Sequence, residues 1–352
     1  MTKNAIVLGA GIVGVSTAIH LQRRGRQVTL IDRKDPGNET SFGNAGLIQR
    51  EGVAPYGFPQ QLGLLLRYAL NNRIDAHYHL RTLPSQIAFL ARYWWNSNAR
   101  RHAIITRAYA PLIENSIAEH KDLIEASQAE GLIRKDGWIK IFRTEAKRDQ
   151  ALAEAALWQN EFGVEYDSLT SADIARMEPD MTGDFAGGIH WRDPWSVLDP
   201  HALTSAYRRY FESLGGRFVT GDAASLGPFG SGWKIMTAEG PLEAEDAVIA
   251  LGPWAAPKTP VQLDRAEAVA RTIFPLGGRL DPEPWMGARP CTPDMMPVIG
   301  KAPRHQGLWF AFGHAHHGLT LGPVTGRVLA ELITGETPFI DIAAYSPQRF
   351  NP

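Results

Sequence analysis

The residues of this sequence whose types and spacing suit them to chemistry gather towards its two ends. Near the start, Gly9-Ala10-Gly11-Ile12-Val13-Gly14 is a G-x-G-x-x-G pattern, and Asp32, followed by Arg33, lies about 20 residues further on. Each position has a mechanical use. Gly9 allows a tight turn, Gly11 lets the backbone approach a pyrophosphate, Gly14 lets helix and strand pack closely, and Asp32 accepts hydrogen bonds from ribose hydroxyls. Towards the other end, Arg289 precedes Pro290 in a fixed turn. Its planar fork suits a bidentate carboxylate; bonding to loop carbonyls or pairing with Asp294 is the blander reading. His314, His316 and His317 cluster beyond it, at a spacing that matches no familiar metal-ligand pattern. They read as lining a ligand pocket or satisfying local hydrogen bonds, and no metal is expected. The lone cysteine, Cys291, reads as packing and excludes an internal disulfide or a multi-cysteine cluster.

The elements that must hold these residues follow from hydrophobic pattern. An apolar run over 5–8 fits a buried parallel strand, a helical pattern continues to about residue 24, and a second strand over 27–31 ends on Asp32. The helix start presents unpaired N–H groups to phosphates. Ser41, Gly43, Asn44, Ala45 and Gly46 follow, a density of small residues that suits either close approach to a ligand or a plain glycine turn. Two further apolar runs, 247–254 and 308–313, are strands of the same parallel sheet, since a strand covered on both faces is apolar throughout. The second leads through a glycine loop into a helix from Gly318. Between these pieces the pattern predicts helices over 104–129, 147–162 and 200–213, the last opened by Asp199-Pro200. It predicts strands over 138–142, 186–191 and 216–219, and a hairpin over 233–245.

The fold class is therefore α/β: a Rossmann-like dinucleotide-binding domain with an interleaved α+β substrate domain. Residues 1–50, 197–262 and 300–340 form the first, residues 51–196 and 263–299 the second, and 341–352 a tail.

With 36 basic and 37 acidic residues among 352, the chain carries no global field to recruit nucleic acid. No signal-peptide pattern and no run of about 18 apolar residues is read, so the expectation is a cytoplasmic protein without a transmembrane helix. Residues 51–103 are apolar, aromatic and flanked by arginines. That composition fits either helices packed over the core or an amphipathic surface resting on the inner face of a membrane.

Taken together, these motifs resemble the D-amino acid oxidase family of FAD-dependent oxidoreductases, and bacterial D-amino acid dehydrogenases in particular. The resemblance rests on Gly9–Gly14 with Asp32, on residues 40–46, on Asp199-Pro200-His201, and on residues 285–290 with Thr292-Pro293-Asp294. It rests also on Gly313-His314, on residues 318–326, and on the closing 346–350. It implies non-covalent FAD, with Gly9, Ala10, Gly11, Ile12, Val13, Gly14, Asp32 and Arg33 about the ADP half. Ser41, Asn44, Ala45 and Gly46 would lie near the pyrophosphate and isoalloxazine. Gly252 and Trp254 would flank the flavin, and His317, Gly318, Leu319, Thr320 and Leu321 would meet its pyrimidine end. Arg289 takes the position of a carboxylate-binding arginine, and His316 that of a second basic contact.

The implied reaction is oxidation of a D-amino acid to an imine, which water hydrolyses to a 2-oxo acid, with electrons passed to a quinone or another acceptor. Oxidation of D-hydroxyproline, glycine or sarcosine, or service as an FAD-binding subunit without turnover of its own, are the alternatives. Oligomeric state is left open. One departure stands out: residues 257–273 occupy a place where the family carries several substrate-domain strands, including Gly-Tyr and Arg-Gly-Thr segments. The part of the pocket those strands supply has no counterpart in this sequence.

Overall fold

The computed structural model describes residues 3–71, 78–252, 261–278 and 287–350. Strand Asn4–Leu8 lies at the centre of a six-stranded sheet, and its Ile6, Val7 and Leu8 are inaccessible to solvent. Gln27–Asp32 pairs with it on one side and Asp246–Ile249 on the other, all parallel. Arg217–Thr220 extends the sheet beyond Gln27–Asp32, and Leu308–Phe312 extends it beyond Asp246–Ile249, again in parallel. The three apolar runs thus share one sheet, as their lack of a polar face requires. Val298–Lys301 closes the edge antiparallel to Leu308–Phe312. The strand expected over 247–254 is Asp246–Ile249, and Trp254 lies outside the described residues.

Helix Ile12–Arg23 packs on this sheet against the buried helix Gly318–Thr334. Gly326 makes the contact close: a Cβ there would stand 2.6 Å from the Ser16 carbonyl carbon. Pro323, inside the second helix, has no N–H to give the Leu319 carbonyl four residues back. His120 Nε2 fills that gap at 2.8 Å, while its Nδ1 meets the Tyr207 hydroxyl at 3.0 Å. A defect in one helix is thereby made good by a side chain from another. Helix Pro200–Ser213 begins as its sequence predicts, with the Asp199 side chain accepting from the Ala202 N–H at 2.9 Å.

A second layer is antiparallel. Trp138–Phe142 and Tyr166–Leu169 flank Gly187–Trp191, with helix Glu145–Phe162 against them. Leu47–Ile48, Trp195–Val197 and Ile133–Arg134 form a small sheet, and a three-stranded meander runs through Gly227–Phe229, Gly232–Thr237 and Gly240–Ala244.

Two expectations need correcting. The single helix over 104–129 is two, Ala99–Glu114 and Ser116–Ala126. At the junction, Asn115 Nδ2 donates to the Pro111 carbonyl and Ser116 Oγ to that of Ile113, so short polar side chains take helix acceptors. Helices Leu62–Ala69 and Leu83–Asn96 contain no buried residue at all, so of the two readings of this apolar stretch, helices packed over the core give way to an exposed amphipathic surface.

Candidate active site

The parallel strands end at a cleft, where ligands of open α/β sheets bind. Gly9, Gly11, Ile12, Val13, Asp32, Arg33, Ser41, Asn44 and Gly252 line it. So do Arg289, His316, Gly318 and Leu319, which come from the far end of the sequence.

The glycines divide by what a side chain would meet. Gly9 has φ +104° and a Cβ would lie 2.4 Å from the Ala250 carbonyl oxygen; at Gly14 it would lie 1.8 Å from that of Gly9. Both serve the fold. At Gly11 the nearest atom to a Cβ is Ser41 Oγ at 3.7 Å, so the backbone there is left bare toward the cleft.

Two helices start at this cleft, Ile12–Arg23 and Gly318–Thr334, and neither has a side-chain cap or an acidic residue in its first turn. Their leading N–H groups and positive dipole ends suit an anion. Ser41 Oγ accepts from the Ile12 N–H at 3.3 Å. Asp32 receives the Ala10 N–H at Oδ2 and the Arg33 N–H at Oδ1, each at 2.7 Å, and the Lys34 N–H at Oδ1, at 3.3 Å. A carboxylate accepts about four hydrogen bonds, so acceptor capacity remains for ribose hydroxyls. The residues present therefore fit a dinucleotide with its pyrophosphate over Gly11.

Other expected residues lie off the cleft wall. Ala10 contributes through its N–H and Gly14 through packing. Ala45 is exposed, while Gly46 (φ +72°) packs on the Val197 carbonyl, which a Cβ would approach to 2.3 Å. Thr320 accepts the Gln49 N–H at Oγ1 and so ties the strand Leu47–Ile48 to the helix; Leu321 is core.

The histidines go separate ways. His314 Nε2 meets Thr325 Oγ1 at 2.9 Å, and burial holds its pKa down at about 4. His317 Nδ1 meets the Tyr109 hydroxyl at 2.7 Å; burial, then its histidine neighbours and Arg289, bring it to about 3. The His316 ring rests on Tyr56, centroids 4.6 Å apart, and partial burial followed by Arg289 lowers its pKa. All three are neutral at pH 7. Among the described residues, no group of His, Cys, Asp and Glu could hold a metal ion.

Arg289 is exposed on the cleft wall and has no hydrogen-bond or ion-pair partner among the described residues. Asp294, its possible mate, is taken by Arg349, whose Nε stands 2.6 Å from Asp294 Oδ2. Cys291 is exposed and not packed. Sequence reasoning missed Tyr56 and Tyr109, which only the fold brings to the histidines. An isolated tyrosine has no spacing signal to betray it.

A sequence profile of the FAD dependent oxidoreductases matches residues 4–265 and 256–332. The break falls at the short stretch over 257–273. A D-amino-acid oxidase of Bradyrhizobium diazoefficiens is 25% identical over 99% of both chains, and a D-amino acid dehydrogenase of Chromohalobacter salexigens 26% over 98% of this chain and 99% of its own. The former alignment runs to 423 positions, so that relative has residues with no counterpart among the 352 here. The glycine oxidase of Geobacillus kaustophilus superposes with a TM-score of 0.72 over the whole of both chains, at 19% identity. With the uncapped helix ends and bare Gly11 at the cleft, the match settles the cofactor and the class of chemistry: the chain belongs to the family of FAD dependent oxidoreductases.

Proposed function

We propose that this enzyme oxidises a D-amino acid, or a close secondary amine, to an imine that water hydrolyses to a 2-oxo acid. The observation that carries the reading is Arg289, a guanidinium on the wall of the FAD cleft that has no partner among the described residues. The names of the two relatives, a D-amino-acid oxidase and a D-amino acid dehydrogenase, support it. FAD, when bound, supplies the acceptor for the hydride that leaves the substrate Cα. Arg289 clamps the carboxylate and fixes which face of Cα is presented; positioning of this kind contributes roughly 7–11 kcal/mol to lowering a barrier. His316, neutral at pH 7, offers a hydrogen-bonding ring without adding a second cation to the wall.

The test is the visible spectrum of the purified protein under anaerobic conditions, before and after D-alanine, D-proline and their L-forms. Flavin bands bleached by the D-forms alone are expected. Bands that no amino acid bleaches would overturn the reading in favour of an FAD-binding subunit without turnover of its own.

Electrons then pass to a quinone-type carrier at an anionic phospholipid surface. Leu62, Leu66 and Leu70, one stripe at i, i+4 and i+8, are 72, 63 and 70% exposed. Leu80, Ile87, Trp94 and Trp95, further along the same stretch of chain, are exposed as well. Residues 52–113 contain seven arginines against a single acid, Asp75. Among the described residues, Arg67, Arg81, Arg92 and Arg100 have no acidic partner. Exposed leucine and tryptophan in a stretch rich in arginine is the composition of an interfacial anchor. Among the described residues, no helix is long and apolar enough to cross a membrane.

A further inference from the structure

A second hollow, a groove of about 1170 Å³, plays no part in the reaction described above. Its walls come from the end of the helix Leu83–Asn96, the start of the helix Ala99–Glu114, Pro293 with Asp294, and the closing Arg349 and Phe350. Its acid is already neutralised: Asp294 takes Arg349 Nε at 2.6 Å on Oδ2 and Nη2 at 3.3 Å on Oδ1. What remains is positive. Among the described residues, Arg92 and Arg100 have no hydrogen-bond or ion-pair partner. Arg101 meets only neutral groups, with Nη1 3.2 Å from Asn96 Oδ1 and the guanidinium 5.3 Å from the centre of the Trp95 ring.

This charge sits where a helix least tolerates it. Arg100 and Arg101 are the second and third residues of Ala99–Glu114, and its first turn holds no acid. The helix N-terminus is itself positive, so cations there cost stability unless an anion answers them. Asn98 Oδ1 accepts the Arg101 N–H at 3.1 Å, which leaves the N–H groups of Ala99 and Arg100 unbonded within the helix. Arg92 adds a third cation from a different helix, and the hollow gives the missing anion room. Three large apolar side chains of the same groove, Trp95, Ile104 and Phe350, are exposed. A free phosphate ion would leave them facing water, whereas an amphipathic anion covers them.

We propose that this groove binds the phosphodiester headgroup of a single anionic phospholipid molecule. Arg92 and Arg100 take the phosphate oxygens, and the lipid's glycerol and chains lie against Trp95, Ile104 and Phe350. The inference rests on the membrane reading given above and narrows it, from a diffuse attraction of arginines to one saturable site.

The experiment titrates the holoenzyme calorimetrically with dihexanoylphosphatidylglycerol below its micelle concentration. One lipid per chain is expected to bind. Arg92→Gln with Arg100→Gln should weaken it at least about tenfold, the worth of a lost charge-assisted hydrogen bond. Arg67→Gln with Arg81→Gln, the same loss of charge elsewhere in the arginine-rich stretch, should change it by less than about twofold. Dihexanoylphosphatidylcholine and glycerol 3-phosphate, which lack the net charge and the chains respectively, should each bind at least about tenfold more weakly. Without lipid, Arg100→Gln should melt about 1 °C higher than the parent, since the helix start is relieved of a cation.

Equal losses in the two paired variants would overturn the proposal in favour of diffuse charge, and so would the absence of saturable binding. Glycerol 3-phosphate binding as tightly as the lipid would overturn it in favour of a soluble phosphate. A lower melting point for Arg100→Gln would show that the fold itself uses the charge, and would also count against it. If the groove pair does not fold, Arg92→Gln, outside the helix start, decides the matter alone. Retention of the parent on phosphatidylglycerol bilayers tests the membrane reading separately: retained protein that binds no monomeric lipid sinks the site and spares that reading, and unretained protein sinks the reading.

Discussion

Among the three motif glycines, only Gly11 is spare from the fold's point of view. Its Cβ position meets nothing closer than Ser41 Oγ at 3.7 Å, whereas at Gly9 and Gly14 the backbone itself is in the way. Gly11→Val should therefore yield a folded protein, with unchanged circular dichroism and thermal midpoint, that purifies colourless. Retained flavin would refute the placement of the pyrophosphate. Arg289→Ala tests the other wall of the cleft. Loss of a bidentate ion pair in a partly dry site costs about 2–3 kcal/mol, which predicts a rise in KM on the order of a hundredfold for carboxylate substrates. Flavin content should stay the same, because the proposed reading gives Arg289 to the substrate and not to the cofactor. An unchanged KM would remove it from the clamp.

At the scale of elements, the helix Gly318–Thr334 does the most to shape the site. Its first residues line the cleft, its glycines let Ile12–Arg23 approach, and its proline creates the vacancy that His120 fills. His120→Leu leaves the buried Leu319 carbonyl without a donor and takes the ring nitrogen from the Tyr207 hydroxyl, which keeps only its longer bond, 3.4 Å, to the backbone carbonyl of residue 120. A loss of about 2 kcal/mol in chemical denaturation is expected, the penalty of a buried group left unpaired. A loss below a few tenths would show that water or a shifted helix repairs the gap.

The same burial sets a pH dependence. His20, His120, His314 and His317 are held near pKa 3 to 4 by burial in the folded chain, against 6.5 when unfolded. Below 6.5 the unfolded chain takes up protons that the folded one refuses. Stability is thus fully present above pH 6.5 and falls as pH drops towards 4. Glu51 and Glu119, raised by burial, act in the opposite sense, but two acids do not offset four histidines. A thermal midpoint that fails to fall between pH 7.5 and pH 5 would contradict this account.

For the whole molecule the governing fact is an imbalance of surface. The chain is close to neutral, at net charge −1, yet the stretch 52–113 gathers seven arginines and the outward-facing Leu62, Leu66 and Leu70. Sedimentation with vesicles should retain the protein on phosphatidylglycerol-rich bilayers, release it as salt rises, and leave it free of pure phosphatidylcholine. Replacing Leu62, Leu66 and Leu70 by Ser should abolish retention without altering flavin content. Binding that ignores lipid charge, or survives the serine variant, would assign the face to another partner. A second copy of the chain would be revealed by a concentration-dependent mass.

The sequence alone determined the dinucleotide frame, because its requirements are local: a glycine where only a bare backbone fits, an apolar run covered on both faces, an acid at the tip of the next strand. It marked Arg289 and the histidines as chemistry but could not say whom they face. Folding decided that Asp294 belongs to Arg349 and not to Arg289, and that His317 turns to Tyr109, 208 residues away. It split the helix over 104–129, where Asn115 and Ser116 outbid the backbone for its carbonyls. It turned Leu62, Leu66 and Leu70 outward, which periodicity cannot do, since an amphipathic stripe looks the same whether it faces a core or a lipid. Local propensity writes the elements; the direction of a hydrogen bond and the exposure of a face arise only when distant parts of the chain meet.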